Sequence, residues 1–440
     1  MIDLKDLREN PERYKRAAQL KRIDVNIDRL LELDAQKRSL DAQRQQLTAE
    51  KNAIGKQIGQ LQGKLKKAPP AEQAAIQEEV KTLQARPTEL KHKEQALEGE
   101  VAQIDPQIME LLLRCAQPPD DDVPVGKDDT ENVEIKKVGT VRQFEFEPKD
   151  HITLGTELGL IDTDRGVKLA GSRSYFLIGD GALLHQAVLR LAQDMMIERG
   201  FIAMAVPVMV REPAMVGTGY FPLGREQSYV MSNEEPPKYL VGTAEVSLTA
   251  FHMDETLDVK QLPRKYIGMS PCFRREAGTY GKDTAGLYRI HQFDKVEQVI
   301  VCRNDVEESK RWHQHILENA EAILQKLELP YRVVYVCTGD LGQGQVAKYD
   351  IETWMPSRKS YGETHSASRF YDFQARRLNL RYRDEDGKVK VCHTLNNTVI
   401  ASPRVLIPIL ELYQNADGSI TIPAALRPYM NGRERVEKTK

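Results

Sequence analysis

Apolar residues recur every seven positions at Leu33, Leu40, Leu47, Ile54 and Leu61, and again at Ile76, Leu83, Leu90, Leu97, Ile104 and Leu111. A seven-residue apolar repeat keeps one stripe on one side of a helix, so each series predicts a helix that needs a partner. Ala68-Pro69-Pro70 separates them. Two striped helices joined at a proline break predict an antiparallel hairpin over about residues 28–112. At 1.5 Å per residue its first helix, Asp28 to Lys66, would run for about 58 Å. Such a helix must project from any compact core. Pro87, inside the second helix, is expected to kink or unravel it, because proline lacks a backbone donor and crowds the preceding turn.

Periodicity changes after residue 115. Pro118 to Lys149 is polar and turn-rich and reads as a strap covering about 116–150. From His151 onward, short β-branched runs alternate with amphipathic helices such as Leu183 to Arg199 and Asp305 to Leu327. Several runs follow one another as hairpins, which predicts an α+β fold: a helical arm over 1–115, then an antiparallel sheet flanked by helices over 151–440.

Composition narrows the function. Lys plus Arg number 63 and Asp plus Glu 65, so any nucleic-acid contact has to come from a local patch. The arm offers one: Lys37, Arg38, Arg44, Lys51 and Lys56 along the first helix, and Lys64-Leu65-Lys66-Lys67 at its tip, read as a basic edge able to track phosphates. Five scattered cysteines without a C-x-x-C pair point to reduced thiols. With no signal-like N-terminus and no apolar run of membrane length, a soluble cytoplasmic protein that avoids membranes is expected.

No G-x-x-x-x-G-K-[ST] loop occurs, so a nucleotide must be held by side chains. Arg289 to Ile300 reads as a strand whose period of two puts Arg289, Phe293, Lys295 and Glu297 on one face and Ile290, Val296 and Ile300 on the other. Two cations, a ring and a carboxylate on one face suit a charged substrate with a flat base. Tyr266 to Glu276 reads as its partner, with Arg274 and Glu276 sharing a face, and Ala277 to Tyr288 as a mobile glycine-bearing loop. A third strand near Val391 to Ile400 aligns Asn396 with Thr398. It runs into Ser402-Pro403-Arg404, read as an N-cap serine, a proline at the first helical position and an arginine in the first turn, where helix dipole and guanidinium both attract phosphate.

Thr243-Ala244-Glu245, Phe273-Arg274-Arg275-Glu276 through Arg289-Ile290-His291-Gln292-Phe293 and Glu297, Glu363-Thr364-His365-Ser366, and Leu395-Asn396-Asn397-Thr398 through Arg404 together resemble the signature motifs of the class II aminoacyl-tRNA synthetases, specifically the bacterial-type seryl-tRNA synthetases. The arm, the strap and Leu426-Arg427-Pro428-Tyr429-Met430 match as well, so the resemblance spans the chain. It departs where Arg275 replaces a usual serine and Gly362 a frequent arginine. The resemblance implies serine activation by ATP and transfer to tRNA(Ser), with tRNA(Sec) as a further acceptor.

Residue by residue, the resemblance implies that Arg274 bridges the ATP α-phosphate and the serine carboxylate and that Glu276 accepts from the adenine amino group. Phe293 would stack on adenine beside Ile290, and Arg289 and Arg404 would hold the γ-phosphate. Arg275, Thr364 and His365 complete the ATP set, and Glu363 and Ser366 match ligands of Mg²⁺. Thr243, Ala244, Glu245, Glu297, Asn396 and Thr398 would surround serine, with Thr243 and Glu297 at its ammonium and Glu297 and Thr398 at its hydroxyl. Glu198 to Val210, with Pro207, matches a dimer-forming motif and implies a homodimer. Two rivals are weighed: a paralogue charging a carrier protein, which would be expected to lack the arm, and a non-catalytic tRNA-binding regulator, which would be expected to lack Arg274, Glu297 or Arg404.

Overall fold

The computed structural model describes residues 1–278 and 286–438, so the expected loop at 277–288 lies largely outside the described residues. The chain divides into two compact units, one of Leu4–Lys15 with Asp24–Cys115, the other of Met1–Asp3, Arg16–Ile23 and Ala116 onward.

In the first unit, α1 (Ile27–Leu65) and α2 (Pro70–Arg114) form the hairpin. The Asn26 side chain accepts from the Arg29 amide at 2.9 Å and caps α1, and Pro70 sits at the start of α2, where a missing N–H costs nothing. Leu33, Leu40 and Ile54 on α1 and Val80, Leu90, Val101, Ile104 and Ile108 on α2 are buried in the seam. The expected unravelling at Pro87 is not found: α2 continues through Pro87 and Pro106. An interior proline costs about 3 kcal/mol, whereas burying one leucine returns roughly 1.5–3 kcal/mol. Val80 and Leu90 on either side outweigh the defect.

The basic edge also needs correction. Lys37, Arg44 and Lys51 occupy positions facing α2, are half-buried and pair with Asp105, Glu98 and Glu94. The heptad that buries the leucines carries these cations inward too. Arg38, Lys56, Lys64, Lys66 and Lys67 remain exposed, so the positive surface concentrates toward the tip.

The second unit is built on an eight-stranded sheet of β1 (Val133–Val138), β2 (Ile202–Met204), β3 (Arg264–Phe273), β4 (Gln292–Cys302), β5 (Tyr331–Tyr335), β6 (Ala347–Met355), β7 (Ser360–Tyr371) and β8 (His393–Ser402), in the order β1-β5-β6-β7-β8-β4-β3-β2. Every pairing is antiparallel except β2 with β3. The segment read as a strap therefore supplies an edge strand, whose exposed Glu134, Lys136 and Lys137 suit an unpaired edge. Two helices, α3 (Asp180–Glu198) and α4 (Val306–Lys326), lie within three residues of the expected bounds. Asp305 caps α4 by accepting from the Glu308 amide at 2.7 Å.

One core joins these layers. Leu184, Val188 and Leu191 of α3 and Ile316, Ala320 and Ile323 of α4 pack on Val296 and Ile300 of β4 and Val399 and Ile400 of β8. One sheet face is thereby filled with aliphatic side chains, and polar residues on the other are left facing a cleft. Among the described residues no helix is long and apolar enough to cross a membrane.

Candidate active site

A cavity of about 250 Å³ opens on the polar face. Phe293, Lys295 and Glu297 of β4 line it at period-two spacing. On β8, Asn396 and Thr398 line it too, and so does Ala401, which breaks the alternation. The register explains the change: Glu297 pairs with Thr398 but Val296 with Ile400, leaving Val399 as an extra residue that resets the phase. A second bulge lies on β7. Glu352 pairs with Glu363 and Ile351 with His365, so Thr364 is extra. Glu363 and Ser366, three apart and destined for opposite faces of a regular strand, therefore share the face of Lys348 and Asp350, while His365 turns to the core.

At one end of the cavity the Lys295 ammonium pairs with the Glu297 carboxylate, both almost fully buried, and lies 3.4 Å from the Thr398 hydroxyl, itself 3.5 Å from Glu297. Asn396 adds a buried amide nitrogen with no hydrogen-bond partner among the described residues. Glu245, also lining the cavity, accepts from the Tyr220 hydroxyl and the Gln374 amide at 2.8 Å each. Burial, and then the nearby Glu297 charge, push the Glu245 carboxyl up to about 7.

That shift has a signed consequence. Between about pH 4.5 and 7 the folded state keeps a proton that the unfolded chain has released, so stability falls as pH rises through this window. Glu245→Gln removes the titration. Its melting temperature should gain on that of the parent between pH 5 and 8 in thermal unfolding; a constant difference would refute the assignment.

Toward the other end, Arg274 follows β3, donating from Nε to the Gly242 carbonyl at 3.3 Å with its guanidinium 5.3 Å from the Phe293 ring centre. The expected strand through Glu276 stops at Phe273. Glu276 reaches the cleft instead from a left-handed conformation, φ +52°, uncommon for a residue with a side chain. Arg289 precedes β4 rather than lying in it, and its guanidinium is 3.5 Å from Glu276. Arg404 donates to the Tyr288 carbonyl at 3.1 Å and the Glu363 carbonyl at 3.0 Å.

The expected helix start at Ser402 is corrected: Ser402 ends β8, and the next helix, α5 (Leu406–Leu412), begins with Val405 as its cap. The Ser402 hydroxyl instead meets His185 Nδ1 at 2.9 Å, and His185 Nε2 meets Asp294 at 2.9 Å. Arg404 thus occupies the turn immediately before the N-cap of α5, its carbonyl accepting from the Ile407 amide at 3.2 Å. The Gly362 departure also has a steric reading. A side chain there would press on Tyr288 and Met355 at 3.1 Å, and the Tyr288 ring is occupied by Arg358 and Arg404, 4.3 and 4.4 Å from its centre.

At this end the Glu363 carboxylate is kept ionised, whereas burial pushes the Asp350 carboxyl up to about 7. Against the raising effect of burial, Lys348, Arg404, Arg274 and Arg289 hold Glu363 below its usual range. Burial opposes the Lys348 charge, but Asp350, 2.9 Å away, and Glu363 raise it well above its ordinary value.

Of the residues read from sequence, Glu245, Arg274, Glu276, Ile290, Phe293, Glu297, Glu363, Thr364, Ser366, Asn396, Thr398 and Arg404 line the one cavity. Thr243 and Ala244 are buried beneath it, Thr243 Oγ1 accepting from the Glu245 amide at 3.2 Å. Arg275 is exposed outside the lining, and His365 is a buried histidine that desolvation lowers to about 4. Tyr220, Gln345, Lys348 and Ser368 line the cavity and were not singled out. Lys348, Asp350 and Glu352 did leave a signal, charges at period two inside an otherwise buried strand. Tyr220 left none.

Known proteins share this architecture. The family model described as the seryl-tRNA synthetase N-terminal domain matches residues 1–112, and that of the class II tRNA synthetase core domain (G, H, P, S and T) matches residues 229–413. A serine–tRNA ligase of Deinococcus radiodurans is 44% identical over 434 residues, covering 99% of this chain and 98% of its own. One from Dictyoglomus thermophilum is 43% identical over 436 residues, covering 98% of each. The crystal structure of seryl-tRNA synthetase from Pyrococcus horikoshii complexed with ATP superposes with a TM-score of 0.89 at 38% identity, covering all of both chains.

Proposed function

The chain belongs to the seryl-tRNA synthetase family, and from that premise we propose how its cleft activates L-serine with ATP and how its hairpin meets the tRNA that receives it. The observation that carries the assignment is the gathering of Arg274, Glu276, Phe293, Glu297, Glu363, Asn396, Thr398 and Arg404, scattered over more than a hundred positions, into one cavity.

Serine occupies the Glu297–Thr398–Asn396 end. Its ammonium meets the Glu297 carboxylate and its hydroxyl Glu297 and Thr398, with Thr243 and Glu245 completing the pocket. Alanine would leave these buried partners unpaired, which supports discrimination of ~10⁴ or more. Adenine lies on Phe293 beside Ile290 with its amino group toward Glu276, and Arg289 and Arg404 take the terminal phosphate. The serine carboxylate is already an anion, so attack on the α-phosphorus needs no general base. Arg274 steadies both reacting groups, and catalysis rests on alignment and charge neutralisation.

The oxygen donors of Glu363 and Ser366, brought together by the β7 bulge, suit one hard divalent cation such as Mg²⁺. Among the described residues no group of three or more His, Cys, Asp or Glu could hold a metal, which fits an ion completed by water and phosphate oxygens. Bound there, Mg²⁺ would neutralise phosphate charge.

We place the protein in the cytoplasm, whose reducing milieu suits five buried, unbridged thiols, as a homodimer through the Glu198–Val210 face. Ile202 and Met209 are exposed there, with Ile197 just before it, and β2 ends the sheet. The hairpin grips tRNA(Ser), and tRNA(Sec) where present, by shape and backbone. The exposed tip supports this: replacing Lys64, Lys66 and Lys67 by alanine should weaken tRNA binding and flatten its salt dependence by about 1 for each phosphate left without its lysine. Filter binding at several salt concentrations checks it; an unchanged slope would exclude the tip from the interface.

The test of the whole reading is ATP–pyrophosphate exchange with serine, alanine, threonine and glycine, followed by transfer to total tRNA. Serine-dependent exchange and transfer are expected. No exchange with any amino acid would overturn the reading. Neither rival gains support, since relatives match across the hairpin and the core alike.

A further inference from the structure

Lys21 is only 5% exposed, far from any assigned role. Its ammonium donates to three carbonyls of one loop, those of Gly342, Gln343 and Gln345, at 3.1, 3.2 and 2.5 Å. Burial pushes the group down to about 7, with Asp120 drawing it back up. Three acceptors that each need a donor favour the charged form.

The loop forms one wall of the cleft. The Gly342 amide donates to Gln345 Oε1 at 2.6 Å, and Gln345 Nε2 donates to the Ser368 hydroxyl at 2.7 Å; Gln345 and Ser368 both line the cleft. Behind the loop lies a second cavity of about 200 Å³, lined by Gly342, Gln343 and Gly344 and sharing Tyr220, Glu245 and Gln345 with the first. Gly344 packs against the Phe373 ring and Val346 is buried, but the Gly342 and Gln345 edge borders the cavities, so polar tethers set the position of that edge. Besides Lys21, these include the Gln117 and Asp120 amides, donating to the Gln343 and Val346 carbonyls at 2.9 Å each, and the Val346 amide, donating to the Arg369 carbonyl at 2.8 Å.

We propose that Lys21 is a positioning residue for the serine pocket, holding the Gly342–Val346 partition where Gln345 and Ser368 complete the pocket wall. The inference rests on the reading of this cleft as the serine site. Loss of the tether lets the wall retreat toward the second cavity and loosens serine, while the Phe293 end, built on β4, keeps its shape.

The experiment is ATP–pyrophosphate exchange by full-length Lys21→Met. The serine KM should rise on the order of 10- to 10²-fold, the cost of a misplacement near 1 Å, with the ATP KM unchanged. Lys21→Arg, which keeps the charge but not the convergent donors, should recover part of the loss. An unchanged serine KM overturns the proposal, and so do serine and ATP KM values rising together with a lower melting temperature, which would mark general loosening. Should Lys21→Met fail to fold, Gln345→Ala must still raise the serine KM selectively, and an unaltered value there overturns the proposal equally. A parent protein without serine-dependent exchange would instead sink the serine-site reading itself.

Discussion

Arg274→Ala is expected to lower serine-dependent ATP–pyrophosphate exchange by on the order of 10²–10³-fold, the cost of removing one preorganised donor from developing transition-state charge. The guanidinium is held by the Gly242 carbonyl and the Phe293 ring, so its geometry is set before substrate arrives. Against the lowering effect of burial, Tyr220, Cys272, Glu363 and Glu276 raise its pKa, and the variant strips the two carboxylates of a counter-charge where phosphate must enter. Arg274→Lys should recover only a fraction, since an ammonium cannot present the planar fork. Initial-rate exchange beside thermal unfolding checks it. A loss below tenfold at unchanged stability would remove Arg274 from the reacting centre.

Glu297→Gln carries the second large effect, and it falls on two observables. The carboxylate and Lys295 are 2% and 6% exposed at their side chains, so the amide leaves an ammonium buried without its counter-ion. Breaking such a pair costs roughly 3–5 kcal/mol of stability. The same carboxylate is read as the partner of the serine ammonium and hydroxyl, so the serine KM should rise on the order of 10²-fold. Adding Lys295→Met to the variant separates the two: stability should return while serine binding stays weak, a double-mutant cycle on one ion pair. If serine binding returned together with stability, Glu297 would be a structural partner of Lys295 and no more.

Much of the molecule was legible because its signals are local. The seven-residue apolar repeat gave away the hairpin, since a helix of that period buries its stripe only against another. Asp305 before an amphipathic run marked the start of α4. Phe293, Lys295 and Glu297 aligned at period two because β4 is regular over that stretch, and the motif residues identified the cleft before its walls were known.

What the chain alone left undecided depends on partners distant in sequence. Whether Pro87 breaks α2 turns on how much apolar surface α1 covers beside it. Lys37, Arg44 and Lys51 read as a free basic edge until Asp105, Glu98 and Glu94 were found opposite them. Glu363 and Ser366 share a face only because β6 pairs two of its residues across three of β7, and Asn396, Thr398 and Ala401 share one only because β4 skips Val399. Sequence by itself determined the hairpin, the main amphipathic helices, the regular stretch of β4 and the chemical types available to the cleft. Tertiary structure decided bulge positions, charge pairing and the Lys21 tether, because each is a property of register between strands or helices, and a side chain's period along its own strand holds no record of where its neighbour skips a residue.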